Sequence, residues 1–180
     1  FYMDEDKKKR ITVEDYIASK KAYGRLVCKI ERADDSDFNV WSGFQASRTD
    51  VFDPRCQLMI DFIHEVWADG DDEVYKYIIS WLAGLLTPGI NKTALAMVSK
   101  QGTGKGFLLE FIKLILRQSN VVDVVGIKSV TQKHNTSIQG KRLVVINEMS
   151  STRDEFKSNF DIIKSYITDP KITIEPKGVN

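Results

Sequence analysis

Apolar positions along this chain fall into two kinds of pattern. At helical spacing they predict helices over Val13–Tyr23, Gln57–Trp67, Glu73–Leu86, Phe107–Leu116 and Phe156–Ile167. In continuous or alternating runs they predict strands at Leu26–Ile30, Ala94–Val98, Val121–Val125 and Leu143–Ile146. Lys171–Lys177 alternates like an edge strand or hairpin arm. Thr12 is placed to cap the first helix, with Asp15 three residues on, and Asp71 or Asp72 to cap the third. Gly24, Pro88-Gly89 and Asp169-Pro170 mark helix ends. Phe38–Phe44 (FNVWSGF) predicts an aromatic turn, and Ser129–Gln139 a polar stretch with a short helix. The helix over 73–86 is apolar enough to be buried. The run Leu143–Ile146 is apolar on both faces, which suits the interior of a sheet covered by helices.

The chemistry concentrates where the Ala94–Val98 run meets the Phe107–Leu116 helix. Between them, SKQGTGKGF carries glycines at Gly102, Gly104 and Gly106 and a lysine at Lys105. Strand, glycine loop, lysine and helix is the plan of a phosphate-binding loop. Glycines let successive N–H groups face one anion, the helix N-terminus adds partial positive charge, and the lysine reaches outer phosphates. Two positions depart from the usual signature. Ser99 stands at the first glycine, and Gly106 replaces the Ser or Thr whose hydroxyl binds magnesium. The alternative is a glycine-rich turn with a solvated lysine. Downstream, the Leu143–Ile146 run ends in Asn147-Glu148. An acid at the end of such a strand is where this plan needs its water-activating group, so Glu148 is the candidate base. A solvated glutamate is the alternative.

Composition narrows the picture further. In 180 residues the charges nearly cancel, at formal net +1, so any polyanion contact must be local. No apolar run approaches a membrane span, no signal peptide is legible, and no membrane partner is expected. Cys28 and Cys56 lack metal-ligand spacing and read as free thiols in a reducing compartment. His64 and His134 are far apart and read as ordinary histidines. The charged DEDKKKR segment reads as a solvated tail, or alternatively as one facing nucleic acid. The start at Phe1 and the stop at Asn180 point to a piece of a longer chain.

Taken in order from Phe38, these segments resemble the ATPase part of superfamily 3 helicases, and more narrowly the primase-helicases of large DNA viruses, phages and plasmids. FNVWSGF resembles the aromatic-glycine turn of that group. DEVYKYIISWLAGLL resembles its Tyr- and Trp-bearing helix, SKQGTGKGF its Walker A segment and GKRLVVINEM its Walker B segment. IKSYITDPKITIEPKG resembles its third motif, which leads towards a DNA-contacting hairpin.

The resemblance implies an α/β fold. It would be an AAA+-like P-loop NTPase core of three layers on a mostly parallel sheet, incomplete at the C-terminus. Residues 1–86 would form a mainly helical lead-in or collar, and 87–180 the partial ATPase core. It implies ATP and Mg²⁺ as cofactors, a hexameric ring with ATP between subunits, single-stranded or forked DNA and other replication proteins as partners, and an intracellular location in a host or bacterium. Gln101, Gly102, Thr103, Gly104, Lys105, Gly106 and Phe107 would hold the nucleotide. Lys105 and Glu148 would be catalytic. Glu148, and Asn147 through water, would meet the metal. Lys164 would reach the phosphates or couple them to the hairpin, and Lys171 and Lys177 would touch the DNA backbone. The last two also read as lysines on a solvated edge. The family's sensor strand and arginine finger have no place before Asn180, so weak turnover by this piece alone is expected. Two other functions fit the same residues. A small-molecule phosphotransferase would need an arginine-rich lid, and only Arg153 follows Glu148. A non-catalytic nucleotide-binding module fits Ser99, Gly106 and Asn147.

Overall fold

The computed structural model describes residues 2–3, 10–11, 25–31, 33–132, 135–147 and 153–175. The helix expected over 13–23 lies outside them. The chain divides into two compact units, Phe1–Ser42 and Gly43–Asn180. In the first, β1 (Tyr2–Met3) pairs antiparallel with β2 (Arg10–Ile11), and β3 (Arg25–Val27) pairs parallel with β4 (Asp37–Asn39). The aromatic turn expected from Phe38 therefore begins as a strand. Asn39 closes this pair, accepting from Lys29 N at 3.1 Å and donating to Lys29 O at 2.9 Å.

The second unit starts with a 3-10 turn, Pro54–Cys56, opened by Asp53 and Pro54. It continues as α1 (Gln57–Phe62) and widens into a π turn, Ile63–Trp67. Asp71 caps α2 (Asp72–Gly84), accepting from the N–H groups of Glu73 and Val74 at 2.8 and 3.0 Å. Those donors hold its carboxyl below the usual carboxylate range. The expected burial of this helix is realised along one stripe only: Ile78 is buried, as is Leu85 just beyond it, while Val74 and Tyr77 are exposed.

After α2 the strand expected at Ala94–Val98 does not form. The segment is extended, Val98 is fully exposed, and it pairs with no strand among the described residues. Then come α3 (Lys105–Leu116), β5 (Val121–Val125), α4 (Lys128–Thr131), β6 (Leu143–Asn147) and α5 (Arg153–Thr168). β5 and β6 are parallel, with Val121 opposite Leu143 and Val125 opposite Asn147. The connection through α4 and the 3-10 turn Thr136–Ile138 is the crossover that parallel pairing requires. Val144 on β6 is partly exposed, less covered than a both-faces-buried strand would be.

The core joins Ile63, Ile78 and Leu85 to Leu108, Ile112 and Leu116 of α3. Residues 57–86 thus pack on the same core as the helix that follows the glycines. Asn120, itself buried, ties the far end of α3 by donating to Leu116 O at 2.6 Å and Gly43 O at 2.9 Å. On α5, Phe160 is exposed, Ile163 and Ile167 are partly buried, and the side chain of Phe156 lies outside the described part. The alternation at Lys171–Lys177 gives no ladder over 171–175, and Lys177 lies outside the described residues.

Candidate functional site

The glycine loop runs from Ser99 into α3. Gly102 and Gly104 take positive φ, at 84° and 82°, which only glycine adopts without strain. Gly104 is also pinned from outside. A Cβ there would lie 2.6 Å from Phe62 Cζ of α1, and Phe62 meets the Phe107 ring edge-on at 5.7 Å between centroids. Two requirements, a left-handed turn and a close aromatic wall, therefore fall on one residue. Gly106 differs: it sits inside the first turn of α3 with open space where a side chain would go.

Lys105 begins the helix, and its side chain folds back over the loop. Its Nζ donates to Ser99 Oγ at 2.5 Å and reaches the carbonyls of Ser99 and Lys100 at 3.4 and 3.3 Å. Thr103 Oγ1 lies 2.7 Å from Ser99 Oγ and donates to Lys100 O at 3.1 Å. Ser99, in the place of the first expected glycine, is thus the hydroxyl on which the ammonium rests. Gln101 is exposed at the turn, and Phe107 turns its ring to Phe62. Positive-φ glycines, a lysine and the N-terminus of a twelve-residue helix converge here, a combination suited to a negatively charged group.

The approach to the loop is held by α2. Tyr77 Oη donates to Thr93 Oγ1 and Trp81 Nε1 to Thr93 O, each at 3.1 Å, and Asn91 Nδ2 donates to Trp81 O at 2.8 Å. Arg142, just before β6, closes the end of α2. Its guanidinium donates to the carbonyls of Leu85, Gly89, Gly84 and Thr87 at 2.5–2.7 Å. A cation at a helix C-terminus is favourable, and the fork geometry of arginine lets one side chain serve several carbonyls. Burial holds this guanidinium below the ordinary arginine value.

The other expected residues are distributed elsewhere. Asn147 ends β6 with its amide Nδ2 on Asp123 Oδ1 of β5, at 2.5 Å. Glu148 lies outside the described residues. Lys164 is exposed on α5. Lys171 lines an open cleft of about 330 Å³ between α4, α5 and the segment 171–175, together with Thr131, Asn135, Ser165, Tyr166 and Glu175. No loop residue lines that cleft. Asn135 is its fastener: buried, it donates to Tyr166 Oη at 2.9 Å and Thr173 O at 3.0 Å, and accepts from Glu175 N at 3.0 Å. Tyr166 Oη in turn donates to Val130 O at 3.1 Å.

Sequence reasoning missed Phe62, the Ser99 hydroxyl, Asp123, Asn135 and the role of Arg142. All but Ser99, which meets Lys105 within the loop, act across a long stretch of chain, and only the proximity of Arg142 to the β6 pattern was a usable signal. Among the described residues no group of three or more His, Cys, Asp or Glu could hold a metal ion. His64, half-sheltered against the Tyr75 ring, instead bridges Asp72 at 3.0 Å and Glu65 at 3.4 Å. No helix among the described residues is long and apolar enough to cross a membrane.

A family of unknown function (DUF5906) matches residues 97–180, a span that holds the glycine loop, β5, β6 and α5. Over 119 residues the chain is 30% identical to a DNA primase-polymerase of Nitratiruptor phage NrS-1; the match covers 62% of this chain and 16% of that protein. No solved structure matches the chain.

Proposed function

We propose that this chain is the nucleotide-binding part of a DNA replication protein, an ATP-dependent helicase module of the superfamily 3 type. The observation that carries the proposal is the loop: two positive-φ glycines and a half-buried lysine at the start of α3. The similarity to a phage DNA primase-polymerase supports the replication setting. The backbone of Gly102–Gly106 takes the phosphates of ATP, and Lys105 leaves Ser99 for the outer phosphate oxygens. Glu148 polarises the attacking water. Lys164 couples the nucleotide to the segment that carries Lys171 and Lys177, which contact the DNA backbone. Copies of the chain form a ring, of six in the relatives it resembles, with ATP between neighbours, inside the cell that hosts replication.

The residues present fit magnesium through the nucleotide and not as a free-standing site. Gly106 brings no hydroxyl, and Asn147 brings a neutral amide backed by Asp123. Magnesium commonly keeps several waters and takes phosphate oxygens as its other ligands, and it would neutralise charge on the phosphates. On the resemblance, Asn147 would meet such a water shell.

The absence of a hydroxyl at Gly106 also favours a second reading, a module that binds ATP and gates assembly without hydrolysis. One experiment separates them: ATP binding and turnover by the complete parent protein, with and without single-stranded DNA, for wild type, Lys105→Ala and Glu148→Gln. Lys105→Ala is expected to weaken binding roughly tenfold or more, as for loss of a charged hydrogen bond. Glu148→Gln is expected to keep binding and lose DNA-stimulated turnover. Binding through Lys105 with no turnover in any protein leaves the gating module and removes the catalytic role of Glu148. No binding at all removes both.

A further inference from the structure

The glycine loop commits its own polar side chains to itself, and the closest of these contacts is made by the group an anion would need. An ammonium carries three N–H donors and no acceptor. Lys105 Nζ has three acceptors, all within the loop: Ser99 Oγ at 2.5 Å and the carbonyls of Lys100 and Ser99 at 3.3 and 3.4 Å. The bond to the hydroxyl is much the shortest. The hydroxyl protons are turned inward as well. Ser99 Oγ lies 2.7 Å from Thr103 Oγ1 and 3.3 Å from Lys100 O, and Thr103 Oγ1 lies 3.1 Å from the same carbonyl.

The three acceptors around the ammonium differ in origin. A backbone carbonyl is supplied by any residue. The hydroxyl is supplied by serine alone, at the position where the phosphate-loop signature has a glycine that would offer none. The hydroxyl is a neutral acceptor. A phosphate oxygen is a charged one and makes the stronger bond to an ammonium, so it can draw the lysine away. The free energy gained in doing so is reduced by the bond that the lysine gives up. Lys105 is half-buried, so water does not replace that bond as freely as at an open surface.

We propose that Ser99 sets the affinity of the loop for phosphate by acting as a latch. Its hydroxyl holds Lys105 in the empty loop and competes with the ligand for the ammonium. The ligand concerned is the phosphate chain of a nucleoside triphosphate. The inference rests on the nucleotide-binding reading of the loop and deepens it. It states that removing a polar group beside the site strengthens binding, the opposite of what a hydroxyl in contact with phosphate would give. Ser99 does not take a left-handed φ, so alanine can stand there without backbone strain.

The test is equilibrium binding of ATP and of inorganic triphosphate to the complete parent protein, with thermal midpoints as a check on folding. Wild type, Ser99→Ala, Ser99→Thr, Lys105→Ala and the double variant Ser99→Ala with Lys105→Ala are compared. Ser99→Ala is expected to tighten binding by about three- to tenfold, the scale of one hydrogen bond. The gain should be the same for both ligands, because the latch acts on the phosphate chain and not on the base. Ser99→Thr keeps a hydroxyl and should keep the wild-type affinity. With Lys105→Ala in place, the change at 99 should do nothing, since no ammonium is left to hold; a general change in loop stiffness would persist there. Should Ser99→Ala not fold, Ser99→Gly takes its place and is expected to show the same gain. Unchanged or weaker binding in the Ser99 variant, or a gain that survives Lys105→Ala, overturns the latch while ATP binding stands. Absence of binding of either ligand in every folded variant overturns it together with the reading beneath it.

Discussion

The glycine loop and the segment 171–175 belong to one compact unit and are held in opposite ways. The loop is braced from many directions. Phe62 walls Gly104, Ser99 and Thr103 hold one another and Lys105, Tyr77 and Trp81 hold Thr93, and Arg142 locks the end of α2. Among the described residues, the segment 171–175 is fastened by the side chain of Asn135, which bonds both Thr173 O and Glu175 N. Removing one brace from the first system leaves others in place. Removing Asn135 from the second takes away both of these bonds at once. The first arrangement suits a surface that must be preorganised, and the second suits a segment whose attachment can be lost as a unit.

Breaking Arg142 should have the largest effect on stability. Arg142→Ala strips four carbonyls of their partner, and we expect a loss of about 3 kcal/mol in chemical denaturation. Arg142→Lys should recover only part of it, because an ammonium cannot reproduce the fork. Full stability in Arg142→Ala would show that water replaces the guanidinium there, and the brace would be redundant. Next is Gly104→Ala. A left-handed non-glycine residue costs about 1–3 kcal/mol before the Phe62 contact is counted. ATP binding is expected to fall with it, whereas Gly106→Ser, with open space around it, should change stability by less than about 0.5 kcal/mol. If Gly106→Ser tightens magnesium-dependent binding, the missing hydroxyl is the site's weak point.

On the other side, Asn135→Ala is expected to cost about 2 kcal/mol locally and to expose 171–175 to proteolysis while the loop's ATP binding is kept. Equal protease resistance in wild type and variant would remove the contrast. The smallest effect is a pH dependence at His64. Hydrogen bonds to Asp72 first and Glu65 second raise its pKa above the ordinary 6.5. The protonated ring is therefore favoured by folding. Its contribution is full below the unfolded value and fades as pH rises through the folded one. The stability difference between wild type and His64→Gln should accordingly shrink from the acid to the alkaline side of neutrality. A difference that grows with pH would mean the ring is held neutral.

Local chemistry was readable where a residue and its immediate neighbours settle the outcome. A cap at Asp71 or Asp72, which the structure gives to Asp71, the turn of Gly102 and Gly104, and a helix expected from Phe107 that starts two residues earlier at Lys105 need only a side-chain oxygen, a free φ and an apolar period. What failed depended on partners distant in sequence. Ala94–Val98 has the run of a strand, but a ladder needs a neighbour, and none lies beside it among the described residues. Lys171–Lys177 alternates correctly, yet over 171–175 the Asn135 amide takes backbone bonds in place of a strand. The widening of α1 at Ile63–Trp67 left no mark in an apolar period that fits an ordinary helix equally well. Of the site, the loop was legible. The resting place of Lys105 on Ser99 was not, because the fold of a side chain within a loop leaves no periodic mark, nor was the turn of Asn147 towards Asp123, because side-chain pairing across strands has no local signature.

The contact between Phe62 and Gly104 carries a further consequence for anyone diversifying this protein. A combinatorial library opened at position 104 alone would return glycine almost exclusively, and one opened at 62 alone would keep large apolar side chains, because Phe62 also packs on the core and on Phe107. Only when both positions vary together does the accessible sequence space enlarge, and then along one diagonal: a shrunken residue at 62 with a residue at 104 that tolerates the left-handed turn, asparagine first among them. The two positions behave as a single letter written in two places.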